Sequence, residues 1–174
     1  MSEAATRGVA IAVLVLLVVL VFALMRHGWR GRARRQSDLP PLPAVPTPVE
    51  RADPGDEAVY VSTTTAGDWL DRIVVHRLGE RSAARVLVRP DGVLVAREGA
   101  PDVWIARRML RGVRRERGQA GKYVERDGLL VLTWHHGSRD LDTAVRLRHA
   151  DRMTQLEQEV RALAAGTGGE DDGA

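Results

Sequence analysis

The chain has no cysteine, which excludes disulfides, thiolate catalysis and cysteine-ligated zinc together. The absence is silent on compartment, since cytosolic and exported proteins alike can lack the residue. Aromatic residues are scarce, at 4%, so the stacking platforms that hold single-stranded nucleic acid are missing. Nucleic acid is therefore not an expected partner. A third absence is local: residues 8–25 (GVAIAVLVLLVVLVFALM) carry no charge. Acids are then missing from residues 26–35, where Arg26, Arg30, Arg32, Arg34 and Arg35 follow the apolar run at once.

That apolar run of 18 residues makes a helix of ~27 Å at ~1.5 Å per residue, close to the ~30 Å hydrocarbon thickness of a bilayer. A cleaved signal peptide would carry its positive charge ahead of a shorter run and end in small residues suited to a peptidase. Here Glu3 and Arg7 cancel ahead of the run, five arginines follow it, and no A-x-A-like site follows Leu24. A buried helix of a soluble domain would need protein on every side, whereas basic and then proline-rich residues come next. The run reads as an uncleaved transmembrane helix. Arginines close to a span prefer the cytoplasmic side, so residues 1–7 are expected outside and everything from residue 26 onward inside, at the inner (plasma) membrane. One span with no ionisable residue inside it offers no substrate pathway of its own.

Charge is segregated along the rest. Residues 26–35 carry +5, residues 36–58 carry −4, residues 59–165 carry +5 and residues 166–174 carry −3. Residues 36–58 also hold six of the eight prolines, Pro40, Pro41, Pro43, Pro46, Pro48 and Pro54. A segment of this kind forms neither a helix nor a central strand and lacks the apolar content for a core. It is expected to be an acidic tether, ~70 Å long if fully extended and ~26 Å on average as a coil. Its LPPLP stretch, Leu39 to Pro43, is a possible ligand for a proline-motif reader, although a spacer is the commoner use.

From Val59 onward short β-rich runs alternate with turn residues. Strands are expected at Val59–Thr64, Arg85–Arg89, Val93–Glu98, Asp102–Ile105, Arg111–Arg117, Leu129–Trp134 and Leu141–Leu147, seven in all. Pro90, Asp91 and Gly92 mark a hairpin. Trp69, Leu70, Ile73, Val74 and Leu78 recur at helical spacing, which predicts a short helix over Asp68–Leu78. Met153, Leu156, Val160 and Leu163 put a narrow apolar stripe on a C-terminal helix that packs on the sheet, with Glu157 and Arg161 paired on its outer face. Residues 166–174 read as a disordered acidic tail. Seven strands followed by one amphipathic helix is the element order of a pleckstrin-homology (PH)-like barrel, in which the helix plugs one open end.

The stretches YVSTTTAGDWLDRIVVH (Tyr60 to His76) and ARVLVRPDGVLVAREGAP (Ala84 to Pro101), followed by LRGV, RGQAGK, GLLVLTW and LDTAVRLRH, resemble the bacterial PH-like membrane proteins of actinobacteria. The resemblance covers residues 59–165 and the anchor arrangement. It implies a PH-like fold behind a membrane anchor and brings no catalytic residue with it. Some such proteins carry a transporter label, and their genes often lie among pyrimidine-biosynthesis genes. Arg77 and Ala106 stand where the family would carry a glycine and a proline, a difference of loop geometry and not of fold.

Four groups of residues invite a chemical reading. Gly118 to Lys122 suggests a phosphate loop, but Glu116 stands where the first glycine belongs and Tyr123 where the hydroxyl belongs; a turn with at most weak anion contact remains. His135, His136, Asp140 and Asp142 are metal-compatible in type, yet adjacent histidines on a strand point to opposite faces and no third ligand sits at a diagnostic spacing. Ser62, Thr63, Thr64 and Thr65 have no nucleophile-elbow glycines and no evident base, so they read as strand formers. Arg107, Arg108, Arg111, Arg114, Arg115 and Arg117, with Lys122, form a basic run at what looks like a sheet edge. Such a run is commonly a solvated, aggregation-resistant edge; the functional alternative is an anion surface for lipid headgroups within tether reach. The expected function is a non-enzymatic, single-pass binding or scaffolding module with the bilayer and a protein or headgroup as partners, and no cofactor or metal. The alternatives are an accessory subunit of a membrane complex, or a hydrolase or transferase if His135 or His136 meets a threonine or acid in a pocket.

Overall fold

The computed structural model describes residues 11–24, 36, 38–46, 53–116 and 128–166. The chain divides into two units, Met1–Ser37 and Asp38–Ala174. In the first, residues 11–24 form helix α1, and its large apolar side chains from Ile11 to Leu24 are exposed. Among the described residues no helix is long and apolar enough to cross a membrane. The span expected over residues 8–25 extends beyond the described residues at both ends, and Arg26, Arg30, Arg32, Arg34 and Arg35 also lie outside them.

The second unit is mainly β. Its strands are β1 (Asp56–Thr65), β2 (Asp68–Arg72), β3 (Ser82–Arg89), β4 (Gly92–Arg97), β5 (Val103–Ala106), β6 (Leu110–Glu116), β7 (Leu129–His136) and β8 (Arg139–Leu147), and helix α2 (Met153–Ala165) follows. They form one antiparallel sheet in the order β5-β4-β3-β1-β8-β7-β6, with β2 paired to β1 off this path. Alternation decides which residues go inside: Val93 and Val95 of β4, Val103 and Ile105 of β5, and Leu130, Leu132 and Trp134 of β7 join one core with Tyr60, Leu141 and Val145. The β3–β4 turn, Pro90 and Asp91, closes a hairpin whose last pair is Arg89↔Gly92. Gly92 has to be glycine, because a Cβ there would lie 2.4 Å from the Ile105 carbonyl oxygen. Helix α2 buries Met153, Leu156 and Val160, and Arg152 ties its start to Asp56 of β1 at 2.8 Å.

Two expectations are corrected. The helix expected over Asp68–Leu78 is strand β2 followed by a 3₁₀ turn at Val75–Arg77, and the described residues thus hold eight strands where seven were expected. The reason lies in β1. Strand β3 pairs with β1 only from Asp56 to Tyr60, which leaves the rest of that edge with unsatisfied backbone groups. Residues 64–78 supply them: Thr65 and Thr64 pair with β2, Ile73 N–H donates to the Thr63 carbonyl at 2.9 Å, and Thr63 N–H donates to the Leu78 carbonyl at 2.9 Å. Ile73 and Leu78 are then fully buried, while Trp69 and Leu70 are exposed. The turn back to β3 places His76 and Arg77 at φ 54° and 58°, in the left-handed region that glycine prefers. The glycine that the family resemblance puts at position 77 suits that geometry.

The second correction concerns the tether. Within residues 36–58, Leu39 is 5% exposed in the main core, Leu42 packs against the same core, and Val45 packs on the cluster of Leu87, Leu94 and Trp104. The segment is pinned as well as packed. Asp38 pairs with Arg139 at 2.7 Å, the His136 ring meets the Pro40 carbonyl at 3.0 Å, and the His76 ring meets the Leu39 carbonyl at 3.3 Å. Gly137, at φ +63°, lets the Pro40 ring approach where a Cβ would collide. Residues 38–46 therefore form a strap on the barrel, and β1 begins three residues before the expected domain start at Val59.

Two stability measurements check this account. Leu39→Ala should lower the unfolding free energy by about 2–4 kcal/mol, the cost of emptying a buried leucine site, whereas a free tether would show almost no change in the denaturant midpoint. At position 77, Arg77→Val should melt below Arg77→Gly by about 1–2 kcal/mol, because a β-branched residue is strained at positive φ. Equal midpoints for the two variants would mean that the left-handed turn is not held in solution.

Candidate functional site

The arginine run straddles a 3₁₀ turn, Arg107–Met109, and strand β6, the last strand of the sheet path. Strand parity separates its members. Arg114 is turned toward β7 and β8: its guanidinium donates to both oxygens of Asp142 at 3.0 and 2.7 Å, to Thr133 at 2.7 Å and to Glu116 at 2.7 Å. Arg115, on the other face, donates to Glu157 of α2 at 2.6 Å and to Thr154 at 2.9 Å. Arg107 is half-buried against Gly166 at the C-terminal end of α2, so close that a Cβ on Gly166 would overlap its guanidinium. A cation is favourable there, where the last helical carbonyls carry partial negative charge. Its Nε is buried with no hydrogen-bond partner among the described residues. Arg108 and Arg111 are exposed, and among the described residues neither has an ion-pair partner. Arg117, Lys122 and the loop Gly118–Gly121 lie outside the described residues.

Electrostatics confirm which of these groups are committed. The two Asp142 oxygens hold the Arg114 guanidinium even further into its charged form. Burial alone would raise the Asp142 carboxyl, but the hydrogen bonds from Arg114, the Thr133 hydroxyl and the Gly67 N–H outweigh it and hold the pKa below the ordinary 3.8. For Glu157 burial again works upward, and Arg115 with Arg161 brings the net shift down. The described part of the run thus offers two free guanidinium forks, Arg108 and Arg111, each able to take a carboxylate or phosphate oxygen pair.

The histidines and hydroxyls separate in the same way. His135 is half-exposed and bonds Asp140 at 2.8 Å across the β7–β8 turn. His136 is buried beside the Trp134 ring at 5.1 Å and bonds the strap; burial lowers its pKa. Among the described residues neither histidine bonds a threonine, and the acid that His135 meets, Asp140, is exposed beside the β7–β8 turn. Among the described residues no group of three or more metal-capable side chains is arranged to hold an ion. A bulge between Tyr60 and Ser62 rephases β1, so the Tyr60 hydroxyl reaches Thr63 at 2.6 Å and the Leu78 carbonyl at 2.6 Å. Thr63 meets Thr143 at 2.8 Å, and the Trp134 indole N–H donates to Thr143 at 2.9 Å. This buried network occupies the hydroxyls structurally; burial pushes the Tyr60 phenol up to about 12, against the lowering effect of its hydrogen bond with Thr63.

Arg97 was not singled out from the sequence. It shares the inward parity of Val93 and Val95 and is 6% exposed, a signal that period-2 alternation carried. Its guanidinium lies 3.9 Å from the centre of the Tyr60 ring and donates to the carbonyls of Arg77 and Glu80 at 3.0 and 2.7 Å, and to Ser82. It clamps the return from β2 to β3 and is satisfied by neutral oxygens. A solvent-open groove of about 560 Å³ is lined by Ala58, Ala83 and Ala84 together with Arg81, Arg146 and Arg148. Glu57 pairs with Arg148 at 2.8 Å across it, so its charge is mixed.

The Arg114–Asp142 pair sets a pH dependence. A carboxyl held below its unfolded value contributes stability that is fully present above that value and is lost as pH falls through the folded one. Asp142→Asn should lower stability at pH 7 by about 1–3 kcal/mol and flatten the loss that the natural chain shows below pH 3.8. Urea midpoints measured from pH 7 to pH 2.5 read both effects, and parallel acid limbs would assign the pH dependence elsewhere.

A protein-family model described as Bacterial PH domain-like matches residues 39–161. The match begins at Leu39, the residue with which the strap enters the core. No curated protein matches the chain. Eight antiparallel strands, a helix at the end and a family match over well above half of 174 residues make this chain a member of the Bacterial PH domain-like family.

Proposed function

We propose that the chain is a single-pass, membrane-anchored binding or scaffolding module, non-enzymatic, with its N-terminus outside and its PH-like domain on the cytoplasmic side of the inner membrane. The observation that carries this reading is α1. Its apolar side chains are exposed along the whole described length, within an uncharged run that five arginines follow. Exposed apolar surface on that scale is unfavourable in water and is removed by a bilayer. The arginines set the side.

Family membership suggests a binding or scaffolding role, since PH-like domains are typically non-catalytic. The burial of the Thr63 and Thr143 hydroxyls in a structural network supports the same reading. The ligand we favour is an anionic headgroup at Arg108 and Arg111, joined by a protein partner. At about 1 kcal/mol per arginine near an anionic leaflet, two arginines cannot hold the domain at a membrane unaided. The anchor supplies the localisation, and the strap shortens the tether from its C-terminal end.

Extraction and topology test this together. The natural chain should remain in the membrane pellet after alkaline carbonate, and in intact cells an impermeant maleimide should label Ser2→Cys but not Gly173→Cys. Release into the supernatant refutes the anchor; labelling of Gly173→Cys before lysis refutes the orientation.

A further inference from the structure

The tip of the β1–β2 hairpin has no part in the barrel. Strand β2 pairs with β1 at Thr65↔Asp68 and next at Thr64↔Arg72, so one step along β1 matches four along β2. Trp69, Leu70 and Asp71 are thrown out of the ladder. Trp69 is 50% exposed and Leu70 66%, and among the described residues of the Asp38–Ala174 unit they are the only large apolar side chains so exposed.

The excursion is braced. Asp68 Oδ1 accepts the N–H groups of Leu70 and Asp71 at 3.0 and 3.3 Å, and the Thr65 hydroxyl donates to Asp71 at 2.6 Å. Below it, Gly67 N–H donates to Asp142 at 3.1 Å and Ala66 N–H to the Asp140 carbonyl at 2.9 Å. A bulge so held is a built feature that re-aims side chains, and two adjacent apolar residues on it need an apolar medium.

Its place on the barrel identifies the medium. Asp38, the first residue of the unit, is held at the β7–β8 turn by Ser138 and Arg139, at 3.2 and 2.7 Å. The next residue along, Asp140, is the one whose carbonyl receives the Ala66 N–H. The bulge therefore neighbours the point where the chain enters the domain. An indole, apolar with one polar N–H, suits the boundary between headgroups and acyl chains.

We propose that Trp69 and Leu70 seat in the bilayer interface beside that entry point, so that this end of the barrel faces the membrane. The proposal rests on the anchored reading above. Asp68 and Asp71 flank the pair and Arg72 follows, so the charge beside it is mixed and seating is driven by apolar burial. Unlike headgroup binding at Arg108 and Arg111, it does not depend on anionic lipid.

The test uses the full chain carrying Trp29→Phe, reconstituted in phosphatidylcholine vesicles with or without dibrominated acyl chains, beside the same chain with Trp69→Phe added. Trp104 and Trp134 are buried, and matching near-ultraviolet circular dichroism shows that the fold is kept. Brominated lipid should remove at least about half of the emission contributed by Trp69, as expected for an indole at the acyl boundary. An unquenched Trp69 contribution, in a chain that resists carbonate extraction, overturns the seating while the anchor stands. A chain that washes off the vesicles overturns both.

Discussion

Both edges of β1 need hydrogen-bond partners along ten residues, and much of the domain follows from how they are met. Strand β8 serves one edge from Ala58 to Thr65, and β3 serves the other only as far as Tyr60. The remaining edge would be an unpaired template for aggregation. The chain folds back to cover it, which produces β2, buries Ile73 and Leu78, and forces a sharp return through two left-handed residues, His76 and Arg77. Arg97 then clamps that return by its carbonyls, and Tyr60 accepts the guanidinium on its ring while donating to the Leu78 carbonyl. A local shortage of backbone partners thus accounts for a strand, a strained turn and a buried cation.

Arginine serves different ends within a short distance. At Arg97 burial is offset by carbonyl oxygens, at Arg114 by a bidentate carboxylate, at Arg115 by the helix that covers the sheet, and at Arg107 by the negative end of that helix. Only Arg108 and Arg111 of the described run are left facing water without a partner. Adjacent positions on a strand face opposite ways. A basic run that is continuous in the sequence therefore divides into structural pairs and a small residual surface.

The seven expected strands were legible because alternating apolar residues and the Pro90-Asp91-Gly92 turn are local signals, and the C-terminal stripe of Met153, Leu156 and Val160 is equally local. The segment from Asp68 to Leu78 misled for a physical reason. Its apolar spacing satisfies a helix, but the demand that decides its conformation comes from β1. Leu39 was unreadable for a similar reason: prolines around it argue against a helix or central strand, yet they leave an extended strap free to dock when a barrel offers an apolar opening. Arg97 was readable by parity alone, since Val93, Val95 and Arg97 alternate inward. The pairing of Arg114 with Asp142 joins residues 28 apart, beyond any local pattern.

The sequence by itself determined the uncharged run with its trailing arginines, the segregation of charge, seven of the described strands and the closing helix, because each depends on composition or on a period of two or 3.6 residues. Tertiary structure alone decided that Asp68–Arg72 is a strand, that residues 38–46 lie on the barrel, which arginines stay free, and that Trp69 and Leu70 remain outside. Each of those outcomes turns on the needs of a distant partner: an open edge of β1, a gap in the core, or a carboxylate on β8. Such needs come into being only once the sheet has formed.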